Sequence, residues 1–166
     1  MPKNIKSNQE LEVPFHKKMS NAVAVFIENS DGITVASNDG KILRNPPEHL
    51  VKVEHDFAPG IYLRRMLMQE NTIVLSAIHK RKHAWFLLEG EITLINGEEH
   101  VTHKAPHFHI SDAGEQRIIY ANKKSVFQNV FKNPNDTTDL DELEEYHYAL
   151  TNEEFKEYIN NKEIDD

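Results

Sequence analysis

Turn signals recur at short intervals through the middle of the chain, and this spacing limits what the chain can fold into. Between residues 51 and 131, segments rich in apolar and β-branched residues alternate with turn sequences such as Ala58-Pro59-Gly60, Glu89-Gly90 and Asn96-Gly97. Segments this short suit strands rather than helices, and Asn-Gly is a strong hairpin signal. The pattern predicts an all-β jelly roll or closed barrel. The predicted strands of the main body are 61–68, 72–79, 83–88, 91–95, 99–104, 107–110, 116–121 and 126–131.

The sequences on either side of this body differ from it. Residues 1–50 are interpreted as an N-terminal extension with short strands at 22–27 and 33–36, and residues 51–133 as the barrel. Residues 134–166 form an acidic segment in which helical spacing replaces alternation. Its first helix carries an apolar stripe, and Thr151 with Glu154 in the capping-box position predicts the start of a second helix. The stripe consists of Leu140, Leu143, Tyr146 and Leu150.

Charge and composition exclude several classes of function. The net charge is −8, but residues 136–166 alone carry twelve acids and two bases, which leaves residues 1–135 at +2. Because residues 1–135 are this close to neutral, their charge gives no electrostatic basis for sequence-independent binding of nucleic acid. No apolar run resembles a signal peptide or is long enough to span a membrane, there is no cysteine, and no glycine-rich phosphate loop is present. We expect a cytoplasmic protein without a nucleotide cofactor.

Histidines are the residues most able to carry chemistry here. In strand 72–79, alternation predicts that His79 shares a face with Ile73, Leu75 and Ala77, and in the next strand His83 shares one with Trp85 and Leu87. A histidine at the end of an inward face lies at a barrel mouth, so His79 and His83 are predicted to converge on a pocket. The alternative is that both are ordinary hydrogen-bonded histidines near a turn.

The histidines of strands 99–104 and 107–110 are predicted to lie at the surface. His107 and His109 alternate with Phe108 and Ile110, and we expect the two apolar residues to face the core. His107 and His109 would then point outward. His100 and His103 have opposite parity beside the Asn96-Gly97 hairpin and are also interpreted as surface residues.

From Glu54 to about Glu144 the sequence resembles small single-domain cupins encoded in bacteriophage and prophage genomes. The matching segments, in order, are 54–64, 79–83, 89–92, 105–106, 113–117, 120–121 and 139–144. This resemblance covers a little over half of the chain. It implies a cupin-type jelly-roll barrel with a C-terminal helical extension and, for a phage protein, the host cytoplasm. Cupins host many chemistries, so the resemblance implies the fold more firmly than the function.

The sequence departs from the metal-binding pattern that is usual in cupins. Counted back from Gly90, His83 stands where a glutamate is usual, and Arg117 stands about where a last histidine would be. Three ligands for a divalent transition metal would remain, His55, His79 and His83. Arg117 suits a carboxylate or phosphate instead, or else forms a salt bridge with a neighbouring acid. The neighbouring acids are Asp112 and Glu115.

Two functions remain open at this stage. One is a metal-assisted or acid/base enzyme acting on a small anionic molecule, with His79 and His83 as catalytic residues. In that enzyme Arg117, Trp85 and Tyr120 would bind the ligand. The other is a non-enzymatic barrel that binds a small molecule or acts as an interaction or assembly partner in phage infection. A homodimer is expected as well, because cupins often pair and the helical stripe needs a surface to cover it.

Overall fold

The computed structural model describes residues 34–36, 42–44, 48–96 and 99–165. The predicted strand 22–27 lies outside the described residues, as does Gly97 of the hairpin turn. The elements are β1 (Thr34–Ala36), β2 (Ile42–Arg44), β3 (Val51–Ala58), β4 (Ile61–Met68), β5 (Ile73–Leu75), β6 (Ile78–His79), β7 (His83–Glu89), β8 (Glu91–Asn96), β9 (Glu99–Lys104), β10 (His107–Ser111), β11 (Ile118–Ala121), β12 (Ser125–Lys132), α1 (Leu140–His147), β13 (Tyr148–Ala149) and α2 (Asn152–Asp165).

Two antiparallel sheets enclose the core, and four pairs of consecutive strands pass from one sheet to the other. The first sheet has the order β2-β1-β5-β11-β8-β9, and the second has the order β10-β7-β12-β4-β3. The pairs β4–β5, β12–β11, β7–β8 and β10–β9 each contribute one strand to each sheet, in the same lateral order. This wrapping is that of a jelly roll. The predicted class, an all-β cupin-type jelly roll with a C-terminal helical extension, is confirmed. β1 and β2 pair beside β5 and so extend the first sheet.

The corner between β7 and β8 shows how the chain passes between the sheets. Gly90 has a φ of +87°, and a Cβ at this position would collide with the Lys124 carbonyl oxygen and the Ser125 hydroxyl. The Ser125 hydroxyl accepts a hydrogen bond from the backbone N–H of Glu91 at 3.1 Å. The backbone N–H of Ala105, which directly follows β9, donates to the Gly90 carbonyl at 3.0 Å. Glycine is therefore required at the predicted Glu89-Gly90 turn.

Alternation in the second sheet produces the core. In β7, His83, Trp85 and Leu87 are buried, as their parity predicts. The buried apolar residues between the sheets are Val51, Met66, Met68, Val74, Trp85, Leu87, Ile92, Ile119, Ala121 and Phe127.

The predicted strand 72–79 is interrupted, which changes the residues that face inward. The backbone N–H of Ser76 donates to the Arg117 carbonyl at 2.9 Å, and the Ser76 hydroxyl accepts from the Arg117 N–H at 2.9 Å. β5 ends before this residue and β6 begins after it. Val74 therefore packs in the core cluster, whereas Ile73 and Leu75 are buried outside that cluster. The prediction that Ile73 and Leu75 share one face with Ala77 and His79 was therefore wrong.

The side of β10 that was predicted to face the core was also wrong. Phe108 and Ile110 are 63% and 46% exposed, and the histidines that alternate with them, His107 and His109, turn toward Trp85. The register explains this, because His109 lies opposite Trp85 and Ser111 lies opposite His83. Side chains opposite each other in an antiparallel pair share a face.

The prediction that the histidines of β9 and β10 are all surface residues was wrong for His103 and His107. Their rings stack at a centroid distance of 4.1 Å, beside Trp85. Both rings are half-buried, whereas His100 is exposed as expected.

The C-terminal segment packs on one end of the barrel. Asp139 caps α1 by accepting from the backbone N–H of Asp141 at 2.9 Å, and Leu143 is buried against Tyr62 and Phe131. The helix ends at His147 because the chain then pairs with β6. Leu140 and Leu150, the ends of the predicted stripe, are each 39% exposed.

The start of α2 follows the prediction. The Thr151 hydroxyl accepts from the backbone N–H of Glu154 at 3.1 Å. In return, the Glu154 carboxylate accepts from the Leu150 N–H at 2.8 Å. In the part of the chain that is described, neither helix has the length and apolar character needed to cross a membrane.

Candidate functional site

A cavity of about 280 Å³ opens between the sheets, beside the segment formed by α1, β13 and the start of α2. Its wall is largely apolar, with Met66, Val74, Ala77, Ile119 and Phe127. The polar groups that the barrel contributes are Arg64, Ser76, His79, Arg117 and Asn129. The C-terminal segment contributes Asp141, Glu144, Glu145, Tyr148, Leu150 and Glu154. An apolar cavity with a few converging polar groups is the usual form of a small-molecule site.

His79 and His83 lie together, as predicted. Their rings stack at 4.2 Å between centroids. His79 Nδ1 donates to the Glu115 carbonyl at 3.1 Å, and His83 Nδ1 donates to the Arg81 carbonyl at 3.2 Å. A carbonyl oxygen only accepts, so both Nδ1 atoms carry the proton and both Nε2 atoms are acceptors. His83 Nε2 is buried and has no hydrogen-bond partner among the described residues.

Both rings are neutral at pH 7. Burial holds the pKa of His79 well below its ordinary value, and the proximity of His83 lowers it further. Burial likewise lowers the pKa of His83 to about 4. A third buried histidine, His147, stacks on Phe131 at a centroid distance of 4.5 Å. Burial lowers its pKa to about 4, even though its Nε2 donates to the Lys132 carbonyl at 2.9 Å. Sequence reasoning did not single out His147.

Arg117 lines the cavity, and its charge is already balanced by a neighbour. Its side chain is buried, and its Nε donates to the Glu115 carboxylate at 3.1 Å. A second guanidinium nitrogen lies 3.0 Å from the same carboxylate and also bonds the Ser111 hydroxyl. Asp112, the other acid considered, pairs with Lys82 at 3.0 Å instead. The salt bridge weighed for Arg117 is therefore present, with Glu115.

Arg64 is a cavity residue that sequence reasoning missed. It is only 7% exposed and lines the cavity beside Met66. Within the described part of the chain, no hydrogen bond or ion pair engages its guanidinium. The signal was present in the sequence, because Arg64 alternates with Tyr62, Met66 and Met68 on the buried face of β4. A charged residue on a buried apolar face is unusual, because burying a charge is costly unless a partner compensates it.

Four predicted site residues lie outside the cavity lining: His83, whose ring stacks on His79, and His55, Tyr120 and Trp85. His55 is on β3, where its Nδ1 is 2.8 Å from the Tyr62 hydroxyl. The Tyr120 hydroxyl donates to the Asn71 side chain at 2.7 Å, on a strand whose inward residue is Ile119. Trp85 is fully buried and stacks on Phe127, which separates it from the cavity surface. Their roles in binding stay predictions.

The residues around the cavity do not fit the three-histidine metal site that was predicted from His55, His79 and His83. No group of three or more histidine, cysteine, aspartate or glutamate side chains could hold a metal ion within the described ranges. His79 and His83 present two acceptor nitrogens, but His55 is held against Tyr62 rather than beside them. The charges of Arg117 and Arg64 both act on His79, which disfavours a cation at that ring. We therefore derive no chemistry from a metal.

Comparisons with known proteins give similarity to solved structures alone. No family model matches the chain, and no curated protein matches it. Among solved structures, the chain is similar to a cupin superfamily protein from Desulfitobacterium hafniense, with 9% identity over 54% of this chain and 83% of that one, at a TM-score of 0.45. It is similar to an acetylacetone dioxygenase from Acinetobacter johnsonii, with 18% identity over 55% and 72% of the two chains, at a TM-score of 0.43.

A third similar structure is an HTH_3 family transcriptional regulator from Vibrio cholerae, with 18% identity and a TM-score of 0.43. The match covers 51% of this chain and about half of the length of the regulator, 51%. At these identities and TM-scores, none of the three structures carries an argument about what the cavity binds. The fold class rests on the strand order described above.

Proposed function

We propose that this protein binds a small anionic molecule in the cavity between its sheets, with Arg64 as the group that holds the anion. The observation that carries the proposal is the buried guanidinium without a protein partner. Burying a charge is costly unless a counter-charge or hydrogen bonds compensate it. A guanidinium offers a planar fork of donors that matches a carboxylate or phosphate. A bound anion would supply the missing compensation.

The rest of the cavity favours a ligand with an apolar body. Met66, Val74, Ile119 and Phe127 would contact carbon atoms. His79 Nε2 would accept one hydrogen bond from a hydroxyl or amine of the ligand, since its Nδ1 is occupied by the Glu115 carbonyl. This set of contacts would give orientation as well as affinity.

The histidine pair favours binding over acid/base catalysis. A general base works best when its pKa is near the working pH, and both rings have pKa values far below 7. At neutral pH, His79, the ring of the pair that lines the cavity, would contribute a hydrogen-bond acceptor. The non-enzymatic function considered from the sequence, binding of a small molecule, is therefore the one we propose. The cytoplasmic location, the phage origin and the homodimer stay predictions.

Ligand binding can be tested with matched probes of one chain length. We expect hexanoate and hexyl phosphate to bind and hexan-1-ol to bind at least about tenfold more weakly, because hydrogen bonds to a charged group contribute roughly 1.5–3 kcal/mol. Isothermal titration calorimetry would measure the affinities. The fluorescence of Trp85, the single tryptophan of the chain, provides a second readout, since Trp85 stacks on Phe127 in the cavity wall.

Two neighbouring arginines give the variant and its control. Arg64→Met removes the charge from the cavity, whereas Arg65→Met makes the same change on the opposite face of β4. We expect Arg64→Met to lose hexanoate binding at least about tenfold and Arg65→Met to keep it. If hexan-1-ol binds wild type as tightly as hexanoate, or if Arg64→Met binds hexanoate normally, the proposal is wrong. A preference between hexanoate and hexyl phosphate would identify the anion class.

A further inference from the structure

The cavity has an acidic side opposite in sign to Arg64. Asp141, Glu144 and Glu145 line it from α1. In the described part of the chain, no hydrogen bond or ion pair engages their carboxylates. Glu154 differs, because Lys80 lies 3.2 Å from its carboxylate and the Leu150 N–H donates to it.

Both signs of charge act on the same part of the cavity. Tyr148 lines it between the barrel and α1. Burial raises the pKa of its hydroxyl, and of the two nearby charges that of Arg64 lowers this pKa while that of Glu144 raises it. No ion pair joins Arg64 to Glu144 within the described residues. Each charge is therefore available to a ligand that is present in the cavity.

We propose that the ligand is a small zwitterion, with an anionic group on Arg64 and an ammonium group at Asp141, Glu144 and Glu145. This inference rests on the proposed function and adds the second charged group of the ligand. A purely anionic ligand would satisfy Arg64 but meet the repulsion of three carboxylates. A simple amine would satisfy the carboxylates but meet the charge of Arg64. A molecule with both groups, joined by a short apolar chain along the wall, compensates both sides.

The position of these acids separates them from the rest of the acidic segment. Glu153 and Glu157 are exposed on α2 and do not line the cavity. They suit a general solubilising role, for which any exposed position would serve. Asp141, Glu144 and Glu145 instead line a cavity that is also lined by the buried guanidinium of Arg64. This guanidinium is a second and independent indication of a charged ligand.

The test compares hexanoate, 6-aminohexanoate and hexylamine by isothermal titration calorimetry on the full chain. We expect wild type to bind 6-aminohexanoate roughly fivefold more tightly than hexanoate, because exposed ion pairs contribute up to about 1 kcal/mol. We expect the preference to shrink at high salt, since exposed charges are screened. Hexylamine should bind most weakly of the three.

The matched variants are Glu144→Gln/Glu145→Gln and, as a control, Glu153→Gln/Glu157→Gln, which changes the net charge equally. We expect the first pair to abolish the preference for 6-aminohexanoate while leaving hexanoate binding intact or stronger, and the control pair to retain the preference. All four positions are exposed, so thermal unfolding should confirm that both variants fold.

The outcomes distinguish this inference from the proposed function. If wild type binds hexanoate as tightly as 6-aminohexanoate and Arg64→Met loses both, the anion site stands and the zwitterion is wrong. The same conclusion follows if Glu153→Gln/Glu157→Gln removes the preference as fully as the cavity variant does. If no probe binds wild type, both proposals fall.

Discussion

Two adjacent arginines, Arg64 and Arg65, lie on opposite faces of β4 in contrasting environments. Arg65, on the outer face, donates to Glu54 at 3.1 Å, to Asp56 at 2.8 Å and to Gln128 at 3.2 Å. Arg64, one residue earlier, is buried on the inner face without such a partner in the described part of the chain. A surface network of this kind contributes little to stability and leaves nothing unsatisfied. The unsatisfied charge on the inner face is what points to a ligand.

The outer face of the second sheet is itself divided. Beside β3 it carries the Arg65 network, whereas over β7 and β10 it is apolar. Phe86 and Phe108 stack there at 6.0 Å, and Leu88, Phe108 and Ile110 are all more than 40% exposed. Exposed apolar patches on a sheet edge mark contact surfaces more often than lone exposed residues do.

Acid should produce the largest loss of stability, through the inner face. His79, His83 and His147 have pKa values below those of unfolded histidine, so the unfolded chain binds more protons as the pH falls. The contribution of each ring is fully present above pH 6.5 and is lost progressively as the pH falls. For His83 and His147, whose pKa values are about 4, the loss is on the order of 2–3 kcal/mol each. Urea unfolding between pH 7 and pH 4 measures the loss.

A variant assigns this loss to the buried rings. His147→Gln should flatten the dependence of the unfolding free energy on pH by about 1.4 kcal/mol per pH unit between pH 4 and 6, because one fewer proton is bound on unfolding. An unchanged slope would mean that His147 does not titrate as its burial requires.

Gly90→Ala should be the most costly single substitution at the corner between the sheets. The new methyl group would meet the Lys124 carbonyl and Ser125 in a backbone conformation that side chains rarely adopt. We expect a loss of roughly 3 kcal/mol or more in the free energy of unfolding. Gly60→Ala is the control, since Gly60 has a φ of +73° but nothing within 4 Å, and should cost only about 1 kcal/mol. Equal losses at the two sites would contradict the close approach at Gly90.

The two arginines should differ in stability as well as in binding. Without ligand, Arg64→Met should raise the free energy of unfolding by about 1–2 kcal/mol, because a buried uncompensated charge is replaced by an apolar side chain. Arg65→Met should lower it by no more than about 1 kcal/mol. Differential scanning calorimetry of both variants tests this, and a destabilised Arg64→Met would show that its charge is compensated in the free protein.

Substitutions on the apolar outer half should change stability least. Phe108→Ser with Ile110→Ser should alter the unfolding free energy of a single chain by less than about 1 kcal/mol, since both side chains are already exposed. The sequence predicted a homodimer through the helical stripe of the C-terminal segment. If the homodimer instead uses this apolar surface, the double variant should lower the light-scattering mass from two chains to one. A wild-type mass of one chain at every concentration would end the dimer prediction.

Local patterns were sufficient for much of the fold and for part of the site. Turn spacing predicted the strands, and alternation in β7 predicted that His83, Trp85 and Leu87 share the buried face. Alternation failed in β10, because on an edge strand the register to Trp85, and not the apolar residues of the strand itself, decides which face is inward. It failed in β5 because hydrogen bonds between Ser76 and Arg117 interrupt the strand.

The sequence by itself determined the order and class of the elements, since turn residues and side-chain periodicity act over a few neighbouring positions. It also determined that His79 and His83 meet, because they flank one turn. Only the tertiary structure decided that Arg117 is paired with Glu115 and that Arg64 is not paired. Partnering of a charge depends on which side chains approach through space, and no local periodicity carries that information. The charge that most needs a ligand was for this reason visible only once the two sheets and α1 were placed around one cavity.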